Sequence, residues 1–218
     1  MRKTLLAACL LSTFAATAAA QSTESSYAPK GLRPFIGVGF TSGGDTILPV
    51  TVTVSNSSTR YHEDISAGGG LDLRVGLSQR LGDLPWTVQV AAAYHNDQSN
   101  GVEGSKYRFR RIPLEATLLW HATDRARIGF GVRKATNATF KIDNGTLTDG
   151  SGNEFRGVYE KYALKASTGF IVEGEYAVTP GWSLKGRFVF ESFRFRDFPQ
   201  AEKVDAEHFG VQSVWYLP

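Results

Sequence analysis

The chain has 218 residues, 42 % of them hydrophobic, with 24 Lys and Arg against 21 Asp and Glu. That is enough for one domain of ordinary size. Setting aside Arg2 and Lys3 of the N-terminal leader leaves 22 basic residues against 21 acidic, so no basic surplus exists to hold a nucleic acid. The only cysteine, Cys9, also falls in the leader, which excludes disulfides and thiol chemistry from the mature protein.

Residues 1–20 read as a signal peptide. Arg2 and Lys3 form its basic start, Leu5 to Thr17 its apolar core, and Ala18-Ala19-Ala20 a small-residue cleavage site. Leu6-Ala-Ala-Cys9 resembles a lipidation motif, but using it would leave only Leu5 to Ala8 as the apolar core. Residues 21–30 form a short periplasmic tail, and 31–218 the single domain. Nothing after residue 20 approaches the roughly 18 apolar residues of a membrane-spanning helix.

From there the chain alternates at period two, the signature of strands. The first strand, about Leu32 to Thr41, sets Ile36, Val38 and Phe40 against Gly37 and Gly39. The second sets Leu71, Leu73, Val75 and Leu77 against Asp72, Arg74, Gly76 and Ser78. In the third, Trp86, Val88, Val90, Ala92 and Tyr94 oppose Thr87, Gln89, Ala91 and Ala93. In the fourth, Ile112, Leu114, Ala116, Leu118 and Trp120 oppose Pro113, Glu115 and Thr117. The fifth sets Ile128, Phe130 and Val132 against Arg127, Gly129, Gly131 and Arg133. The sixth sets Phe170, Val172 and Tyr176 against Gly169, Glu173 and Glu175. The seventh sets Trp182, Leu184, Phe188 and Phe190 against Lys185, Arg187 and Glu191. In the eighth, Phe209, Val211 and Trp215 oppose His208, Gly210 and Gln212.

Connections alternate in length: 42–66, 96–106, 136–160 and 194–207 are long and polar, and the three between them are short. Four long and three short connections suit a transmembrane barrel with both termini in the periplasm. In the first long one, Leu48, Val50, Val52 and Val54 alternate before Ser55-Asn-Ser-Ser58, predicting a hairpin above the membrane. Counting that hairpin as spanning would give ten strands. The four tryptophans, Trp86, Trp120, Trp182 and Trp215, fall at the short-turn end in phase with the apolar faces. With Tyr176 they predict an interfacial girdle.

Alternation does not say which face is inside, since a soluble lipocalin-like barrel shows the same pattern reversed. Three features favour the membrane form. Most glycines share the charged face, and a narrow eight-stranded lumen needs small residues among long ones. The charges there balance: Asp72, Glu115, Glu173, Glu175 and Glu191 against Arg74, Arg127, Arg133, Lys185 and Arg187. Each then has a possible partner in the lumen. Finally, four Trp with many Phe, Leu and Val would overfill so small an interior.

Signals for chemistry are weak. The four histidines, His62, His95, His121 and His208, lack metal-ligand spacing, and no cofactor is expected. His62-Glu-Asp64 with Ser66 could supply a base, an acid and a hydroxyl, but such residues are ordinary in a polar hairpin. Asp149-Gly-Ser-Gly-Asn-Glu154 has only part of a calcium-loop pattern. The unusual runs are Lys106-Tyr-Arg-Phe-Arg-Arg111 and Phe193-Arg-Phe-Arg-Asp-Phe198. In them Arg108, Arg110, Arg194 and Arg196 suit the phosphates of lipopolysaccharide; plain amphipathic strand extension explains them equally well.

The signal, the Gly-Gly-Asp45 loop start, Ala67-Gly-Gly-Gly-Leu-Asp-Leu-Arg74, Arg111-Ile-Pro-Leu-Glu115 and the loop–turn alternation carry a resemblance over the whole mature chain. It resembles the small Gram-negative outer-membrane β-barrel proteins, such as the opacity proteins and the barrel domain of outer membrane protein A. The resemblance implies an all-β fold, an eight-stranded antiparallel up-and-down transmembrane barrel. It also implies location in the outer membrane and insertion by the barrel assembly machinery. The ending Trp215-Tyr-Leu-Pro218 departs from the terminal aromatic usual in such barrels. The expectation is a monomer without enzymatic activity, its lumen plugged by paired charges, contacting outer-membrane lipid and lipopolysaccharide, with its outer loops carrying any ligand specificity. A narrow channel for small or hydrophobic solutes is the alternative, and a lipid hydrolase a more distant one.

Overall fold

The computed structural model describes residues 27, 30–48, 51–53, 60–62, 65–100, 105–148, 154–198 and 200–218. The expected leader, the turn expected at 55–58 and most of 149–154 lie outside them. Eight antiparallel staves form the barrel: β1 (Gly31–Gly43), β2 (Gly70–Arg80), β3 (Trp86–Asn100), β4 (Lys106–His121) and β5 (Ala126–Thr148). They continue with β6 (Glu154–Ala166 and Thr168–Thr179), β7 (Trp182–Phe190 and Ser192–Phe195) and β8 (His208–Tyr216). Each pairs with the next in sequence, and β8 returns to β1 with Phe35 opposite Tyr216 and Gly43 opposite His208. The ring is therefore closed and has no free edge along its spans.

The strand count is eight, not ten. Thr46–Leu48 pairs with Ile65–Ser66, and Thr51–Thr53 with Arg60–His62, as a hairpin that takes no place in the ring. Two other expected loops are instead ladder. β3 and β4 stay paired out to Asn100 and Lys106, and β5 and β6 out to Thr148 and Glu154. Polar composition suggested loops there, but main-chain ladder bonds form whatever the side chains.

Side-chain distribution is inverted relative to a water-soluble protein. Phe40 is 72 % exposed and Val75 59 %, whereas Asp72 is 1 % and Arg133 1 % exposed. The outward belt includes Leu73, Leu114, Phe130, Phe170, Val172, Leu184 and Phe188. It runs about nine residues along a stave, for example Trp86 to Tyr94 or Trp182 to Phe190, the length a tilted strand needs to cross a bilayer. An apolar belt this large is unstable against water and at home in hydrocarbon. The chain is a transmembrane β-barrel of the outer-membrane type.

The girdle residues sit at the turn end of this belt. Trp86 lies opposite Trp120, and Trp182 opposite Trp215. The Trp182 Nε1–H donates to Ser213 Oγ at 2.6 Å, so the indole keeps its polar partner beside the apolar belt. Tyr176 is half exposed on the same face.

Glycines report how full the lumen is. A Cβ on inward Gly76 would stand 2.4 Å from Val90 O and 2.5 Å from Phe35 Cζ, and one on Gly131 2.4 Å from Thr117 Cγ2. Outward Gly174 would meet nothing within 4 Å. Gly69 is buried in the approach to β2, against Ser66 and Asp97.

Candidate functional site

All ten charged residues assigned to the inner face point into the lumen and are buried. Register explains how they meet: Glu115 on β4 lies directly opposite Arg133 on β5, and Glu173 on β6 directly opposite Arg187 on β7. Glu115 is the hub. Its Oε2 accepts from Arg74 Nη1 at 3.0 Å and Arg187 Nη2 at 2.9 Å, while Oε1 lies 3.3 Å from Arg133 Nη1. Arg74 also forks onto Asp72 through Nε and Nη2 at 3.0–3.1 Å.

Toward the turn end, Lys185 Nζ donates to Glu173 Oε1 at 2.6 Å and to Gln89 Oε1 at 2.9 Å, and lies 3.3 Å from Glu175 Oε2. Glu175 Oε1 is 3.4 Å from Arg127 Nη1 and accepts the Tyr216 hydroxyl at 2.7 Å. Tyr216 is buried at this end. Its ring packs 5.7 Å from Phe35, and the Arg33 and Arg127 guanidiniums lie over it at 5.4 Å. Tyr27 of the tail docks below, accepting from Arg125 at its hydroxyl and from Arg127 at its carbonyl.

Toward the loop end the interior changes character. Arg133 Nε lies 3.2 Å from Glu191 Oε2, and Glu191 Oε1 3.5 Å from Arg111 Nε. Arg111 was grouped by sequence with the outer-rim run, yet its side chain is fully buried. The inner charge count is therefore not the simple five against five. Arg111 also donates to the Ala67 carbonyl and lies beside His95. His95 joins Thr41 Oγ1 at 3.0 Å and the Gly69 carbonyl at 2.8 Å, and its ring packs edge-on to His208. His208 Nδ1–H donates to the Ala206 carbonyl at 2.7 Å. Three buried side chains on β3, β4 and β8 thus hold the backbones of the first and last long connections across the mouth.

Above this layer the interior is apolar. Tyr107, Phe109, Ala138, Phe140, Ile142, Leu164 and Phe193 pack with Ile65, Ala67 and Ala206 from the connections. Phe109 and Phe193 meet edge to face at 5.3 Å. Two irregularities bring these residues inward. On β5, Arg133 and Ala135 face in, but so do Ala138 and Phe140. The phase slips at Asn137, whose φ of 51° a short polar side chain tolerates. On β6 a break at Ser167 does the same between Ala166 and Gly169.

Arg108 and Arg110 on β4, Arg194 on β7 and Arg196 just past its end face outward above the belt. Arg110 and Arg196, 86 positions apart in sequence, line one groove. Ser66 Oγ accepts the Gly69 N–H at 3.0 Å; Glu63 and Asp64 lie outside the described residues. Among the described residues no cluster of three metal-ligating side chains occurs. Sequence reasoning placed His208 on the inner face of the eighth strand, where it is buried, but missed Arg111, His95 and Tyr216 as lumen residues. Period-two counting from Glu115 and Gln212 would have placed Arg111 and Tyr216 inward.

No protein-family model matches the chain, and no characterised protein matches it in sequence. Among solved structures it is similar to Ail, the attachment invasion locus protein of Yersinia pestis, solved with the heparin analogue sucrose octasulfate. That likeness has a TM-score of 0.49 and 9 % identity, over 85 % of this chain and 97 % of that one. Neisserial surface protein A gives 0.44 and 13 %, over 86 % and 96 %. OmpT of Vibrio cholerae gives 0.27 and 13 %, over 88 % and 57 %. Likeness at this level carries no functional argument; the barrel rests on the chain's own ladders.

Proposed function

We propose that the protein is an integral outer-membrane barrel that does not conduct, with a structural or surface-interaction role carried by its loop end. The observation behind this is the filled interior. Paired charges occupy the lumen at membrane level, with Tyr216 beneath and the Phe109–Phe193 cluster above. Conduction needs a continuous water path, and paired side chains between two packed ends argue against one. At the outer rim, Arg108, Arg110, Arg194 and Arg196 contact lipopolysaccharide, while the long connections carry recognition of any further partner. The same reading assigns no enzymatic activity and gives the Ser66 hydroxyl, which accepts the Gly69 N–H, a turn-holding role.

Planar-bilayer recording on the refolded mature chain tests it, with folding checked by heat-dependent gel mobility. A folded, silent barrel is expected. Steady conductance that changes on Arg187→Ala or Glu173→Gln would replace this reading with the narrow-channel one.

A further inference from the structure

Above the apolar belt the outer surface is electrically lopsided. On β4 to β7, the outward residues beyond the belt include Arg110 and Arg108, Lys134 and Lys141, Lys165 and Lys161, and Arg194 with Arg196 just past the end of β7. On β8, β1 and β3 the equivalent outward positions carry Glu207, Ser42, Asn96 and Gln98, with no Lys or Arg among the described residues there. Register puts like charges side by side. Arg108 faces Lys141, Lys141 faces Lys161 on its other edge, and Lys165 faces Arg194. Directly opposed like charges destabilise a sheet, so these rows are costly in the unliganded barrel and are relieved by an anion.

The rows converge on a groove of about 400 Å³ lined by β4, β5, β6 and Arg196 just past β7, beside Ile112 and Tyr94. Arg110, Lys161 and Arg196 supply its charge and Thr139 a hydroxyl. The bulge at Asn137 bends β5 at this point. Lys141 has Asp143 at 2.5 Å. Among the described residues, Arg110, Lys161 and Arg196 have no carboxylate partner. Arg110 Nε donates only to Thr139 Oγ1, at 3.3 Å.

We propose that this face seats the phosphate groups of an outer-leaflet glycolipid, with the Arg110–Lys161–Arg196 groove as the main seat, so that such lipid binds one side of the barrel only. Several cations converging at headgroup height beside an apolar wall match a phosphate carried on an acyl-chained lipid. The inference rests on the lipopolysaccharide contact proposed above, and adds the seat, the phosphate and the one-sidedness.

The test uses the full barrel refolded in phosphatidylcholine vesicles containing bis-phosphorylated lipid A or its dephosphorylated form. Lipid retained after transfer to detergent is read by native mass spectrometry. The parent is expected to keep the phosphorylated form. Arg110→Ala/Lys161→Ala/Arg196→Ala is expected to lower retention about tenfold, and Lys30→Ala/Arg125→Ala/Lys203→Ala, with the same charge loss elsewhere, to leave it unchanged. The exposed Lys161→Gln change alone is expected to lower it severalfold, which keeps the test valid if the triple variant does not fold. A parent that retains no lipid A overturns the lipopolysaccharide contact itself. Equal retention by parent and groove variants, or equal retention of the two lipids, overturns the phosphate seat alone.

Discussion

The lower and upper halves of this barrel are opposite solutions to one problem. At membrane level the outer face is Phe, Val and Leu while the inside holds Asp72, Arg74, Glu115, Arg133 and Arg187. Beyond it, the inside is Phe109, Phe140, Leu164 and Phe193, and the outside is polar, with Arg and Lys on β4 to β7. What lies outside the wall changes from hydrocarbon to water, and the inside answers it. The lower interior is held by directional pairs that must all be made, the upper one by packing that tolerates exchange of similar side chains.

The largest effect that sharpens this contrast is expected at the hub. Glu115→Ala leaves Arg74, Arg133 and Arg187 without their shared carboxylate, and breaking such a buried network costs about 3–5 kcal/mol. Urea unfolding in lipid vesicles, followed by tryptophan fluorescence, reads it directly. A loss below about 1 kcal/mol would mean the pairs do not hold the lower half. Next, Phe109→Ala removes one of the two phenylalanines fully buried in the upper half, the other being Phe193, at about 3 kcal/mol. It should speed proteolysis of the long connections while the bilayer stays silent. If it opened conductance instead, the upper seal, and not the ion pairs, would be what closes the lumen.

The smallest effect compares inside with outside. Gly76→Val is expected to cost about 1–3 kcal/mol, because Phe35 and the Val90 carbonyl already occupy the space. Gly174→Ala, facing the membrane with nothing within 4 Å, should be neutral or slightly stabilising in the same titration. Equal losses would show that the lumen is no more tightly filled than the lipid face.

The eight staves, the Trp girdle and the inward set from Asp72 to Glu191 were legible because a strand alternates its side chains with period two, whatever its neighbours. Alternation gives a residue's face and nothing about its partner. That Glu115 collects guanidiniums from β2, β5 and β7, or that Tyr216 reaches Glu175, depends on ring closure and stagger, which no single strand encodes. Arg111 was misread because its neighbours Arg108 and Arg110 set the tone of the run. The long polar ladders were missed because main-chain pairing leaves no mark in composition. Thus the sequence by itself determined a membrane barrel and its inner charges, since hydrocarbon punishes any other phase. Only the tertiary structure decided who pairs with whom, where the interior turns apolar, and that the cations of β4 to β7 share one side, because each depends on which strands become neighbours in space.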